Sequence, residues 1–337
     1  MQQQSCGERY YMSEETPTLG LPVPAHIVPQ PSTVSAHAQA FLSQRMGGAG
    51  EPLDLADKAS WHAHIAESNG WLTEALKAGA AAFPCEIITH QLDGCAIYEM
   101  VPENLASDLA DCAILYLHGG AFIFGAGLAA AYMGAPLASH AGMRMFSVDY
   151  RMPPDHPFPS GLDDSVEAYR WLLERYRPEK IAIAGTSAGG GLAAGLALKL
   201  RDLGLPMPGA CVLATPEVDL TEEGDTFETN IYNDVVITKR LTQTIALYSD
   251  GHDLTDPYLS PLLGDFSKGF PPTLLNSGTR DVFLSNTVRM HRKLLKAGIE
   301  AELHVWEAMP HGGFFGAPED MEVCAQQADF VRRKLRG

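Results

Sequence analysis

Cations are scarce in this chain. Lys and Arg total 24 against 41 Asp and Glu, a formal charge of −17. Phosphate backbones and anionic membrane surfaces repel such a protein, so nucleic-acid partners are disfavoured. The acidic surplus reads as a solubility or salt adaptation rather than as the mark of a specific partner. Cysteine is equally sparse. The six (Cys6, Cys85, Cys95, Cys112, Cys211 and Cys324) form no C-x-x-C pair. Several lie in apolar runs, where a thiol behaves as a small hydrophobe. This excludes a disulfide scaffold and gives no sign of zinc. There is no H-E-x-x-H, and His62 and His64, two apart on a predicted helix, face different ways, so neither a metal nor any cofactor is expected. No apolar run approaches the roughly 20 residues that span a bilayer. The opening MQQQSCGERYYMSEETPTLG lacks a basic region followed by an apolar stretch, so the expectation is a soluble, cytoplasmic protein. Repeats and low-complexity tracts are absent.

What is present is a large apolar complement, 46% of 337 residues, enough for one catalytic-size core with an attached cover. The first 32 or so residues are rich in Pro, Gly and polar types and read as an irregular arm. From Thr33 to Gly79 apolar residues recur at three- and four-residue spacing, which predicts helices preceding the first strand. Beyond Pro84 come eight short apolar or β-branched runs: CEIITHQ, GCAIYEMV, CAILYLH, MRMFSVDY, KIAIAG, GACVLAT, PTLLNSG and EAELHVWE. The first two suggest an antiparallel hairpin. The later ones alternate with helical segments, the pattern of right-handed βαβ units and a mostly parallel sheet. Between Asp219 and Asp256 the alternation lapses. The expected organisation is therefore an arm and cap helices over 1–82, a core over 83–218, a cap insertion over 219–256 and the rest of the core over 257–337.

The chemistry is concentrated at the ends of the predicted strands. KIAIAG runs into Gly185-Thr186-Ser187-Ala188-Gly189 and then a helix, matching G-x-S-x-G. A tight strand-to-helix turn of this kind lifts the serine out of the sheet, and its glycines remove Cβ atoms that would collide. A chance match in a chain of this length has a probability on the order of 0.1, so context decides. Upstream, CAILYL ends in His118-Gly119-Gly120-Ala121-Phe122, a loop of unobstructed N–H groups able to bind an oxyanion, each such donor being worth ~3 kcal/mol to a transition state. Gly119, Gly120 and Ala188 are the candidate donors. A serine also needs a base and a carboxylate to hold that base. Asp281, after PTLLNSG, and His311, after EAELHVWE, follow Ser187 in the order Ser, Asp, His. Asp256 and Asp265 precede the relevant strand, and Glu307 lies only four residues before His311. His118 is read as a brace for its loop and His156 as ordering a Pro-rich loop. Gly125-Ala-Gly127-Leu-Ala-Ala130 fits a dinucleotide fingerprint. It stands too far beyond its strand, inside a predicted helix, to serve as one.

Taken together, HGGAF, YRMPPDHPFPSGLDD, GTSAGGGLA, TPEVDLT, SGTRDVFL and MPHGGF resemble, in order and across nearly the whole chain, the bacterial hormone-sensitive lipase family of esterases and lipases. The resemblance implies an α/β-hydrolase fold with an eight-stranded sheet and a helical cap. It also implies activity on short to medium acyl esters without a cofactor, and a homodimer as a possible assembly. Thr186 replaces the commoner Asp of the family elbow and is similar to a minor, GTSAG-type subgroup. Ala121 replaces a glycine, which leaves open which two N–H groups of the loop serve the oxyanion. Lactone or amide hydrolysis on the same triad is a close variant. Plant gibberellin receptors resemble the same family but have lost the triad histidine, which is present here. In the cap, Phe41, Leu42, Trp61, Trp71 and Leu72 either line an apolar pocket or glue the cap to the core.

Overall fold

The computed structural model describes residues 20, 23–44, 46 and 53–336. Most of the predicted arm, residues 1–19 and 21–22, and Cys6 with it, lies outside that range, and residues 23–31 are neither helix nor strand.

The eight strands are β1 (Cys85–Gln91), β2 (Ala96–Pro102), β3 (Ala113–Leu117), β4 (Arg144–Asp149), β5 (Ile181–Thr186), β6 (Ala210–Ala214), β7 (Thr273–Gly278) and β8 (Ala301–Trp306). They form one sheet in the order β1-β2-β4-β3-β5-β6-β7-β8. β2 pairs antiparallel with β1 and β4, and every later pair is parallel. β3, β5, β6 and β7 are buried along almost their whole length, which is why their sequences are continuous apolar runs. β1, at an edge, alternates instead.

Two cores flank the sheet. On one face α4 (Ser160–Leu173), α5 (Ala188–Asp202) and α8 (Leu284–Lys296) contribute Leu162, Leu196 and Met290. On the other, α3 (Leu128–Ala141) and α9 (Pro318–Leu335) contribute Ala135, Phe330 and Leu335. This is the α/β-hydrolase architecture the sequence implies, an eight-stranded, mostly parallel sheet covered on both faces. Gly125 and Gly127 precede α3 rather than lying inside it as expected, with Gly127 at its N-cap. They still stand well beyond the end of β3, so the dinucleotide reading fails on position.

The register aligns the strand ends. Leu117 sits opposite Gly185, Thr186 opposite Ala214, Ala214 opposite Asn276 and Gly278 opposite Trp306. The loops after β3, β5, β6, β7 and β8 therefore emerge side by side. The chain leaves β3 for β4 and crosses back to β5, so the crevice lies at a reversal of strand order, where open α/β sheets bind ligands.

Over this edge lie α1 (Ala36–Leu42), α2 (Lys58–Ala80), α6 (Thr226–Thr229) and α7 (Thr242–Ser249). Trp61 of α2 packs against Ile123 of the glycine-rich loop and Leu247 of α7. Phe41 of α1 stacks on Phe315 at 5.3 Å. Both are buried in this covering layer, whereas Trp71 is 59% exposed. No helix among the described residues is long and apolar enough to cross a membrane.

Candidate active site

The turn after β5 presents Ser187 at φ 59°, ψ −125°, at the N-terminus of α5. Two glycines make this turn possible. A Cβ on Gly185 would sit 2.1 Å from Gly189 O, and one on Gly189 would sit 2.0 Å from Leu117 O. The serine backbone is itself tied down, its N–H donating to Ala214 O at 2.9 Å and its carbonyl accepting from Gly191 and Glu217 N–H, both at 3.1 Å. Thr186 Oγ1 lies 3.1 Å from Tyr116 Oη, which gives the unusual elbow residue a polar partner.

The loops after β7 and β8 bring Asp281 and His311 to this serine. His311 Nε2 is 2.8 Å from Ser187 Oγ, and His311 Nδ1 is 3.1 Å from Asp281 Oδ1. Thr215, just past β6, bridges the pair. Its Oγ1 lies 2.7 Å from His311 Nδ1, and its hydroxyl donates to Asp281 Oδ2. Asp281 also accepts from Ser277 Oγ at 2.6 Å and from Phe283 N–H at 2.8 Å. With every lone pair of the carboxylate engaged and Nε2 facing a hydroxyl, the neutral imidazole carries its proton on Nδ1. Of the alternative acids, Asp256 and Asp265 accept N–H groups within their own turns, and Glu307 is exposed.

The electrostatics follow from burial and pairing. Burial works against both partners' charged forms. For Asp281 this is outweighed by the His311 charge and by hydrogen bonds from His311, Ser277 and Thr215, so its carboxyl sits below the usual range. For His311 burial is outweighed by Asp281, with a further contribution from Asp234, and the imidazole sits above its ordinary 6.5. Glu217, 1% exposed, is pushed up to about 8 by burial. It is therefore mostly protonated at neutral pH.

Gly119 N–H lies 3.2 Å from Met133 Sδ, a much weaker acceptor than oxygen. A Cβ there would meet Thr186 O at 2.8 Å and Ser187 Cβ at 3.1 Å, so the glycine lets the loop pass close against the elbow. Gly120, Ala121 and Ala188 have N–H groups without an acceptor among the described residues. Ala121 and Phe122 adopt φ of 51° and 63°, in a region costly for L-residues. His118 braces the loop: Nδ1 lies 2.9 Å from Gly119 O, the ring stacks on Tyr150 at 4.1 Å, and Tyr150 Oη donates to His118 O at 2.8 Å. A separate groove of about 460 Å³, bordered by His62, Asn69, Asp149 and Arg151, contains none of Ser187, Asp281 and His311.

Sequence reasoning missed Thr215, Ser277, Asp234 and Glu217. Thr215 and Glu217 stand in the TPEVDLT stretch directly after β6 and Ser277 opens SGTRDVFL, so these three lie within motifs of the family resemblance, whereas Asp234 lies in none.

Comparison with known proteins bears on the family and the fold. The profile of the α/β-hydrolase fold family matches residues 114–315. An acetyl-hydrolase of Streptomyces hygroscopicus is 36% identical over 200 residues, covering 59% of this chain and 67% of that protein. The crystal structure of an esterase designated E25 superposes with a TM-score of 0.85 at 33% identity, covering 94% of this chain and 99% of that one. An esterase from the bacterial hormone-sensitive lipase family gives a TM-score of 0.77 at 29% identity, with 89% and 99% covered. The chain belongs to the α/β-hydrolase fold family, in which it sits beside the esterases of the hormone-sensitive lipase type.

Proposed function

We propose that this protein hydrolyses carboxylic esters of short to medium acyl groups through an acyl-enzyme on Ser187. The observation that carries the reading is the bond from Ser187 Oγ to His311 Nε2, with Asp281 on the other ring nitrogen. Ser187 Oγ attacks the ester carbonyl carbon as its proton passes to His311 Nε2. The carbonyl oxygen becomes an oxyanion facing the N–H groups of Gly120, Ala121 and Ala188. Collapse expels the alkoxide, which takes the proton from His311 and leaves Ser187 acylated. Water then repeats the sequence, giving up a proton to His311 and releasing the acid. Asp281 and Thr215 hold the imidazole in the tautomer that leaves Nε2 free. Donors fixed in a dry site need no reorganisation as charge develops, which is the main source of rate enhancement in such sites. The preference for short to medium acyl groups is supported by the acetyl-hydrolase among the relatives.

The test is hydrolysis of a p-nitrophenyl ester series by wild type and Ser187→Ala, both checked for folding. Turnover that peaks at short or medium chains and collapses in the variant supports the reading. An inactive wild type, or a variant as active as wild type, overturns it.

A further inference from the structure

One buried carboxylate outside the proposed triad touches both loops that carry the acid and the base. Asp234, 1% exposed, stands between α6 and α7. Its Oδ2 accepts the backbone N–H of His311 at 3.2 Å and that of Val282, the residue after Asp281, at 3.1 Å. Its Oδ1 accepts the N–H groups of Val236 at 2.9 Å and Ile237 at 3.2 Å, which fixes the carboxylate to its own turn. Four backbone donors thus converge on one side chain, two local and two from loops far away in sequence. From the same segment, Asn230 Nδ2 donates to Asp281 O at 2.8 Å and to Thr279 O at 3.1 Å.

We propose that Asp234 is a positioning residue for the reaction: it sets the spacing of the Asp281 and His311 loops and places a second negative charge behind the general base. The proposal rests on His311 being that base. Only an ionised Asp fits the arrangement. An Asn has a single carbonyl oxygen, so it can serve the local pair or the two loops but not both. A Glu would carry its oxygens one methylene too far.

The charge has a consequence that a purely structural tie would lack. The ionisable groups facing His311 are Asp281 from the loop after β7, Glu217 from the loop after β6, and Asp234. The edge of Phe283 closes a further side at 4.8 Å. Burial first, then the charge of Asp281, push the Asp234 carboxyl up to about 6, with His311 and the backbone N–H groups opposing. Glu217, at about 8, is already largely protonated at neutral pH; as pH falls further His311 gains its proton, above 6.5, and the base is lost. Near pH 6 Asp234 takes up its own proton, the second for the pair, which removes the charge behind the imidazole and weakens the tie between the loops. The acid limb of kcat/KM should therefore steepen from one proton toward two.

The experiment is the kcat/KM profile for p-nitrophenyl acetate from about pH 5 to pH 9, for wild type, Asp234→Asn, Asp234→Ala and His311→Asn, each checked by circular dichroism. The expected wild-type limb exceeds a slope of one below about pH 6, a reading that needs no variant to fold. Asp234→Asn should keep a slope of one throughout, with its midpoint moved to lower pH because one charge stabilising the imidazolium is gone. Asp234→Ala should lose kcat on the order of 10²-fold with KM little changed, as expected when a reacting group is misplaced. An Asp234→Asn profile that overlays wild type, while His311→Asn is inactive, overturns the positioning role alone. His311→Asn turning over like wild type overturns the triad reading, and this inference with it.

Discussion

The two halves of the crevice are built by different means. On the Ser187 side, geometry is carried by backbone. Ser187 is held at positive φ by a turn in which Gly185 and Gly189 approach within contact of other main-chain atoms, and the neighbouring loop aims main-chain N–H groups. On the side of Asp281 and His311, geometry is carried by side chains. Thr215, Ser277 and Asp234 hold a carboxylate and an imidazole that come from separate loops. The backbone half tolerates almost no added atoms. The side-chain half tolerates substitution but loses alignment when a hydrogen bond goes.

The largest expected effect is on the backbone side. Gly189→Ala drives a Cβ into Leu117 O at 2.0 Å and His118 O at 2.4 Å, neither of which can move without dislodging β3. No cooperative native unfolding transition and no esterase activity are expected. A folded, active Gly189→Ala would show that the elbow is looser than the contacts imply. On the other side, Thr215→Val removes a hydrogen bond to a buried charge while keeping the shape. Such bonds are worth about 1.5–3 kcal/mol, so kcat should fall roughly 10- to 100-fold at unchanged KM. Thr215→Ser should restore most of it. Equal activity in the two variants would remove the hydroxyl from the account.

The third test is pH. His311 sits above 6.5 because Asp281, with a further contribution from Asp234, outweighs its burial. Only the neutral imidazole accepts the serine proton, so kcat/KM should be full at alkaline pH and be lost as pH falls through a midpoint above 6.5. A midpoint below 6.5 would mean that burial dominates. The smallest effect belongs to Ala121→Gly. Relief of the positive φ, about 1–2 kcal/mol, is largely offset by the greater entropy of glycine in the unfolded chain. Tm should therefore move by no more than about 2 °C, with kcat nearly unchanged. A large loss of kcat would mean that the strained alanine, rather than its N–H alone, shapes the loop.

The contrast between the halves also explains what the sequence revealed. A turn that only glycine can make leaves a short, fixed-spacing signature, so Ser187 and the loop after β3 were legible, as were the buried strands with their continuous apolar runs. Asp281 and His311 were legible because strand order places them. Their supporting residues were not, since Thr215 and Ser277 read as ordinary strand-end polar residues and Asp234, in Asn-Asp-Val-Val, reads as a turn. The donors of that loop were legible only in part: the motif indicates where N–H groups are free of side chains but not which way each points, and Met133 Sδ, 14 residues on, lies 3.2 Å from the N–H of Gly119. Of the two cap tryptophans, Trp61 meets Ile123 and Leu247 while Trp71 is 59% exposed.

The most direct test of the account is to treat the wild-type enzyme with an alkyl fluorophosphonate, measure residual esterase activity and locate the adduct by peptide mass spectrometry. The account predicts one phosphonyl group per chain, on Ser187, with activity lost in proportion to labelling and no label on Ser187→Ala. Inactivation with the adduct on another residue, or full activity with Ser187 stoichiometrically modified, would contradict it.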